Sequence, residues 1–255
     1  MLLCKKIANT LFFFKKNSPF LKDIIPNDYT DIHSHLLPAI DDGSKDIEDT
    51  LTLINELKKL GFCNFITTPH VMEHVWENSK TKIEKTLVTT LSHLKDNIID
   101  NPFKAAAEYM LDDKFRKLFQ EETLLTLKEN FVLVEMSYIN APLQLYNIIF
   151  DLQVAGYKPV LAHPERYNFY HNNLQEYKKL KHAGCLFQIN LLSTVGYYGP
   201  MVAKTADYLL KENLIDFVGS DVHHMKHVDS FHKKIVLKNL EPLKEAFQNN
   251  VLFKP

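Results

Sequence analysis

Asp31-Ile32-His33-Ser34-His35, with Asp42 seven residues beyond His35, is the stretch from which the rest of the chain is read. Side chains on an extended strand alternate with period two, so His33 and His35 point the same way. Two parallel imidazoles are half of a metal site. Tyr29 and Ile32 suit a short strand. Leu36-Leu37-Pro38 turns the chain, and Asp41-Asp42-Gly43-Ser44 returns carboxylates towards the histidines. Alone, the motif fits a pair of surface loop histidines as well as it fits a metal site. The rest of the chain decides between them.

Outward from this stretch, strand-like and helix-like segments alternate. Short apolar runs predict strands at 29–35, 64–70, 103–110, 131–137, 158–163, 186–192 and 215–221. Apolar spacings of three and four predict helices at 46–60, 80–99, 142–155, 174–183, 200–212 and 229–249, with a short helical or irregular link at 112–122. Seven strand-then-helix units imply a parallel sheet with right-handed crossovers, and in about 250 residues they close most readily into a barrel. No Gly/Ser/Pro-rich linker divides the chain, which reads as one barrel domain over 29–255 preceded by an extension over 1–28.

Six of the seven predicted strands end in His, Asp or Glu: His33 and His35, His70, Glu108, Glu135, His163, and Asp221 with His223. In a barrel these ends converge on one face, where active sites lie. One charged group after a strand is commonly the start of a loop; six together point to a site. With Asp42 the set has nine members, more than one zinc ion uses, so two or three divalent ions are implied. Mixed imidazole and carboxylate donors suit zinc, manganese or iron without choosing among them. Arg116 and Arg166 are the only arginines, and Arg166 lies three residues after His163. A guanidinium there can grip a non-bridging phosphate oxygen or form a loop salt bridge with Glu165; the scarcity of arginine and its place beside His163 favour phosphate.

These motifs resemble the PHP (polymerase and histidinol phosphatase) family over about residues 29–250, and most closely its bacterial CpsB/CapC branch of capsule and exopolysaccharide tyrosine phosphatases. Asp41-Asp42-Gly43 and His163-Pro164-Glu165-Arg166 are the more specific marks. The resemblance implies a distorted, TIM-like (β/α)7 barrel carrying two to three divalent ions, often manganese. It implies His33, His35, Asp42, His70, Glu108, Glu135, His163, Asp221 and His223 as metal ligands. It makes Arg166 the phosphate binder, with His35 and Asp221 beside it in the catalytic set. The implied reaction is direct attack of a metal-activated hydroxide on phosphotyrosine, without a phosphoenzyme. The implied substrate is the tyrosine-rich tail of a partner kinase of polysaccharide export. A relative acting on a small phosphate ester such as histidinol phosphate, and a metal-bound docking module without catalysis, are the competing readings. Mostly short predicted connections favour an open site over an enclosed one, and a complete ligand set disfavours the inert module.

Composition sets the bounds. The 255 residues are 45% hydrophobic and 24% charged with a net charge of −1, so a sizeable core is available and a chain built to coat nucleic acid is disfavoured. Cys4, Cys63 and Cys185 form no disulfide framework and fit a reducing compartment, which with the lack of a secretory signal gives a cytoplasmic expectation; docking near the membrane is open through the partner that the resemblance implies. A cysteine phosphatase needs an arginine six residues after its thiol; Thr10, Pro69 and Leu191 occupy those positions. Residues 7–14 are apolar between lysine pairs, too short to span a membrane, and read as an amphipathic helix packed on the barrel, with membrane-surface or partner docking as the alternative. His224 and His227 are expected on the surface or in a loop, and His74, His93, His171, His182 and His232 as solvated or capping residues. Trp76 and Tyr197-Tyr198 are expected on the active-site side, either flanking a tyrosyl ring or packing within their loops.

Overall fold

The structure, a computed structural model, describes residues 18–255. The expected packed helix over 7–14 lies outside the described residues. In chain order the elements are β1 (Tyr29–Asp31), α1 (Ile47–Lys59), β2 (Phe62–Thr67), β3 (His70–Val71), α2 (Lys80–Asp96), β4 (Phe103–Ala105), β5 (Glu108–Met110) and α3 (Asp113–Glu121). Then come β6 (Phe131–Glu135), α4 (Leu145–Val154), β7 (Lys158–Ala162), α5 (Gln175–His182), β8 (Leu186–Asn190), α6 (Pro200–Lys211), β9 (Phe217–Gly219), α7 (Met225–Ser230) and α8 (Glu241–Asn249). Every strand pairing is parallel.

Period-two alternation builds two cores from these strands. Phe131, Leu133, Val160 and Ala162 turn into the barrel and meet Ile32, Ile66 and Phe217 there. Val132, Val134 and Leu161 turn outward into a larger core under the helices. Glu135 continues the inward series of β6, and so reaches the barrel mouth rather than solvent.

The barrel is distorted in a way the sequence did not show. Two predicted strands are each broken, giving β2 then β3, and β4 then β5. The sheet accordingly divides into β1-β2-β4 and β3-β5-β6-β7-β8-β9. Pro69 has no N–H to give the ladder, so β2 ends at Thr67, while its carbonyl still accepts from Glu108 N–H at 3.0 Å. The two halves therefore form seven staves, continuous at the C-terminal end and split below. At the closing seam Asp221 N–H donates to His33 O (2.7 Å) and His35 N–H to Val222 O (2.9 Å). Lower down the seam is wedged open. The Asn250 amide there donates to Thr30 O (3.0 Å) and Val218 O (2.8 Å) and accepts from Val218 N–H (3.1 Å).

The predicted helix at 229–249 is likewise two helices, α7 and α8. Between them the backbone bonds instead with the described start of the chain: Leu21 N–H to Lys233 O, Lys22 N–H to Phe231 O, and Ile235 N–H to Pro19 O, all at 3.0 Å. Pro242, in the first turn of α8, restarts the helix. Among the described residues no helix is long and apolar enough to cross a membrane.

Candidate metal centre

The C-terminal ends of the strands deliver the nine predicted residues to one place. Their donor atoms fall into four groups: His35, Asp42, His70 and His223; His33, His35 and Glu108; His33, His163 and Asp221; His70, Glu108 and Glu135. Within each group the donors lie within 4.8 Å of one another. Each of the nine belongs to at least one group, and His33, His35, His70 and Glu108 each belong to two. His33, His35, Glu108, Glu135, His163 and Asp221 are buried; Asp42 stands at the open edge.

Local structure aims these side chains. Gly43 lets the Asp41–Gly43 turn lie against His35: a Cβ there would stand 2.2 Å from His35 O and 2.4 Å from its Cβ. Gly219 leaves room for His33, whose Cβ an added Cβ would approach to 2.6 Å. His163 (φ 36°) and Asp221 (φ 52°) are both left-handed, which costs a residue with a Cβ of order 1 kcal/mol or more. Such conformations persist only where surrounding structure holds them, here to swing a side chain off the strand end and across the mouth.

Hydrogen bonds set which ring nitrogen is free. His33 Nδ1–H donates to Gln188 Oε1 (2.6 Å), an atom that can only accept, so its Nε2 lone pair faces the centre. His35 Nδ1–H donates to Asp41 Oδ2 (2.8 Å) and His223 Nδ1–H to Asp221 O (3.0 Å), with the same result. Those lone pairs meet acceptors. His33 Nε2 lies 3.3 Å from Glu108 Oε2 and 3.4 Å from Asp221 Oδ1, and the two Nε2 atoms of His33 and His35 are 3.4 Å apart. Both Glu108 oxygens, Glu135 Oε1 and His70 Nδ1 are buried with no hydrogen-bond partner outside the cluster itself, where His70 Nδ1 stands 2.8 Å from Glu135 Oε1 and His163 Nε2 3.1 Å from Glu108 Oε1. A buried polar group left in this way costs about 1–3 kcal/mol, more when charged. Lone pairs converging on lone pairs are satisfied by cations, and imidazole with carboxylate is the donor set of divalent transition metals. The residues present thus fit divalent metal.

Without a cation, protons take its part. Burial pulls the His70 imidazole down, but the Glu135 and Glu108 carboxylates outweigh it and lift the pKa to about 9. Burial likewise opposes protonation of His35, yet Asp41 and Glu108 hold it well above the ordinary histidine range. Burial and Arg166 push His163 down to about 4. Asp221 stays ionised despite burial because His33, His223 and Arg166 surround it.

Arg166 reaches this centre. Its Nη1 donates to Asp221 Oδ2 at 2.6 Å, and its guanidinium is held between the Tyr138 and Tyr198 rings at 4.9 and 4.2 Å. Asn190 Nδ2 donates to the same Asp221 oxygen (2.6 Å) and to Tyr198 Oη (3.1 Å). Asp221 Oδ1 is left for the histidines. An open cavity of about 650 Å³ lies above, walled by Asp42, His70, His163, Arg166, Asp221 and His223 with Trp76, Tyr138 and Ile139.

Several residues of this centre escaped the sequence reading. Strand β8, without a charged terminus, contributes amides instead, Gln188 to His33 and Asn190 to Asp221. A glutamine alternating with Phe187 and Ile189 in a buried strand was the available signal. Asp41, one of two adjacent aspartates, holds His35 while Asp42 faces the edge; nothing local separates their roles. Tyr138, on the loop after β6, gave no signal. His227 is not a surface residue. It is buried in α7, its Nδ1 accepts from His223 N–H at 3.2 Å, and its ring packs edge-on against Tyr197. Tyr198 lies on Arg166, so its loop packs within the site, while Trp76 faces the cavity. His74, His93, His182 and His232 are exposed, and His171 bonds to Glu165 O (2.8 Å). Neither Cys63 nor Cys185 lines the cavity, and burial pushes the Cys185 thiol up to about 12.

Residues 29–235 match the family model described as capsular polysaccharide synthesis, CpsB/CapC, and the chain belongs to that family. It is 30% identical over 212 residues to the tyrosine-protein phosphatase YwqE of Bacillus subtilis, covering 83% of each chain. It is 29% identical over 201 residues to the tyrosine-protein phosphatase CpsB of Streptococcus pneumoniae, covering 76% of this chain and 83% of that one. Its backbone superposes with a TM-score of 0.75 on a crystal structure from work on YwqE and CpsB, described there as unique metal-dependent tyrosine phosphatases; identity is 27%, over 88% of this chain and 90% of the other.

Proposed function

We propose that this member of the CpsB/CapC family is a metal-dependent protein-tyrosine phosphatase, acting on a tyrosine-phosphorylated kinase of capsule or exopolysaccharide export. The observation that carries the reading is the buried array of imidazole and carboxylate groups whose inward atoms have only one another as partners, with a single guanidinium beside it. His33, His35, Asp42, His70, Glu108, Glu135, His163, Asp221 and His223 would hold two or three divalent ions, with manganese our choice. Such ions supply Lewis acidity, lowering the pKa of a coordinated water and drawing charge from phosphoryl oxygens.

The protein's own groups do the rest. Gln188, Asp41 and the Asp221 carbonyl accept from Nδ1 of His33, His35 and His223 and so turn Nε2 of each ring inward. Arg166 is already oriented by two tyrosine rings and by Asp221. In our reading it exchanges part of that pairing for a phosphate oxygen and stabilises the charge that develops there. The leaving tyrosinate has an ordinary pKa near 10 and so needs little help from an acid. Trp76, Tyr138 and Ile139 offer apolar walls to an aromatic ring, and the open mouth admits a side chain carried on a peptide. Cysteine usage supports a cytoplasmic location.

The test is hydrolysis of phosphotyrosine peptide, phosphoserine peptide and histidinol phosphate by purified protein, with manganese and with a chelator. Manganese-dependent turnover favouring phosphotyrosine is expected, abolished by His35→Ala. Preference for histidinol phosphate moves the chain to the small-molecule branch, and no turnover of any ester refutes the catalytic reading.

A further inference from the structure

Helix α4 carries an apolar face that nothing in the described chain covers. Tyr146, Phe150 and Val154 recur at spacing four and are 40, 63 and 72% exposed. Leu143, just before the helix, is fully exposed, and Ile139 before it is 84% exposed. At 100° per residue the side chains at 146, 150 and 154 lie on one stripe, and Leu143 and Ile139 stand exposed in the segment that leads into it. The opposite face, Leu145, Ile148, Ile149 and Leu152, is buried on the barrel, so this is a helix apolar on both sides. Neighbours occupy its flanks and touch the stripe only through the Tyr146 hydroxyl. Arg116 of α3 bonds to Asp151 (2.9 Å) and Gln144 (2.5 Å), and α5 is reached through Tyr146 Oη to Glu176 (3.1 Å) and Gln153 Nε2 to Ala183 O (2.7 Å).

We propose that the stripe on α4 is the interface of a two-fold symmetric homodimer, in which α4 packs against α4 of a second copy. Charge singles out this occupant. Residues 136–150 contain no Lys, Arg, Asp or Glu in a chain that is 24% charged, and Asp151 is already paired with Arg116. A phosphorylated acidic segment finds no cation along this face. A membrane surface finds none of the lysines that interfacial helices present to lipid headgroups. A second identical face matches it in polarity at every point, as a self-complementary two-fold contact requires. Area agrees in order of magnitude: five large apolar side chains, four of them more than 60% exposed, make the centre of a patch of the size that a stable interface of ~800 Å² per partner needs. The segment leading into the stripe begins at Ile139, which with Tyr138 walls the cavity, so the second copy would stand beside the mouth.

The experiment is sedimentation equilibrium of the full chain loaded with manganese, between about 1 and 100 μM. Wild type is expected at twice the 29.7 kDa chain mass over the upper part of that range, and Leu143→Ser/Phe150→Glu at the chain mass. Both positions are exposed, so the variant should keep its melting temperature and its turnover of a small aryl phosphate. As an independent reading, backbone amides of α4 in wild type should gain hydrogen-exchange protection with concentration. A wild-type monomer at 100 μM overturns the proposal. So does a double variant that remains dimeric, or a wild-type monomer that binds anionic phosphatidylglycerol vesicles through this face.

Discussion

Replacing Gln188 with leucine should weaken metal binding without touching any donor atom of the centre. The change keeps roughly the side-chain volume but removes the only acceptor for His33 Nδ1–H, at 2.6 Å and fully buried. Either that N–H is left unsatisfied, at about 1–3 kcal/mol, or the proton moves to Nε2 and closes the lone pair that faces Glu108 and Asp221. Loss of such supporting hydrogen bonds typically costs 10–100-fold in metal affinity, which is about 1.4–2.7 kcal/mol. The assay is manganese titration by calorimetry at fixed pH and buffer, with phosphotyrosine peptide turnover followed at subsaturating and saturating metal. Activity should fall at subsaturating metal and recover largely at saturation. Gln188→Glu restores an acceptor and should recover most of the affinity, which separates loss of the proton's partner from a packing defect. Wild-type affinity in Gln188→Leu would refute the idea that this amide sets the state of His33.

Other expectations follow from the same geometry. Arg166→Lys should keep metal affinity but lower kcat/KM on phosphotyrosine peptide by about 100-fold, since a point charge replaces a fork held between two rings; steady-state kinetics at saturating manganese check it. Metal removal should lower the melting temperature, because a ligand at a thousand times its Kd stabilises by about 4 kcal/mol; calorimetry with and without chelator reads this directly. Below about pH 9 the metal-free protein holds a proton on His70, and His35 is raised in the same direction, whereas coordination needs the neutral rings. Manganese added at pH 7 should therefore release protons, and its affinity should rise with pH at least up to about 9; a pH-independent affinity would contradict this. Gly43→Ala puts a methyl 2.2 Å from a backbone oxygen, so the Asp41–Gly43 turn must move off His35, with weaker metal binding and a lower melting temperature in the same samples.

The strand ends show how far local information reaches. Apolar runs ending in His, Asp or Glu are visible in the sequence because side-chain alternation and strand length are properties of a few neighbouring residues. With parallel pairing they suffice for a barrel and for a face on which the charged ends meet. The helix bounds at α1, α5 and α6 were within a residue or two of the periodicity for the same reason. The break of β2 from β3 could be anticipated only in part, since Pro69 removes one donor but the switch of strand partners depends on β5 and β6. The interruption between α7 and α8 could not be anticipated at all, because residues 19–22, more than 200 positions earlier, take the backbone bonds there.

What the chain determined by itself was the inventory: which residue types stand at strand ends, and hence the donor chemistry available. Tertiary structure alone decided their states. It chose Asp41 rather than Asp42 to hold His35, brought the amides of an uncharged strand to His33 and Asp221, sandwiched Arg166 between rings from two distant loops, and left α4 apolar on its outer face. The amide contacts and the ring sandwich depend on partners far off in sequence, and even the choice between the adjacent Asp41 and Asp42 is made by the turn that folds back on His35. A proton's position and a guanidinium's orientation are fixed by the nearest acceptor in space, which the spacing of residues along the chain does not specify.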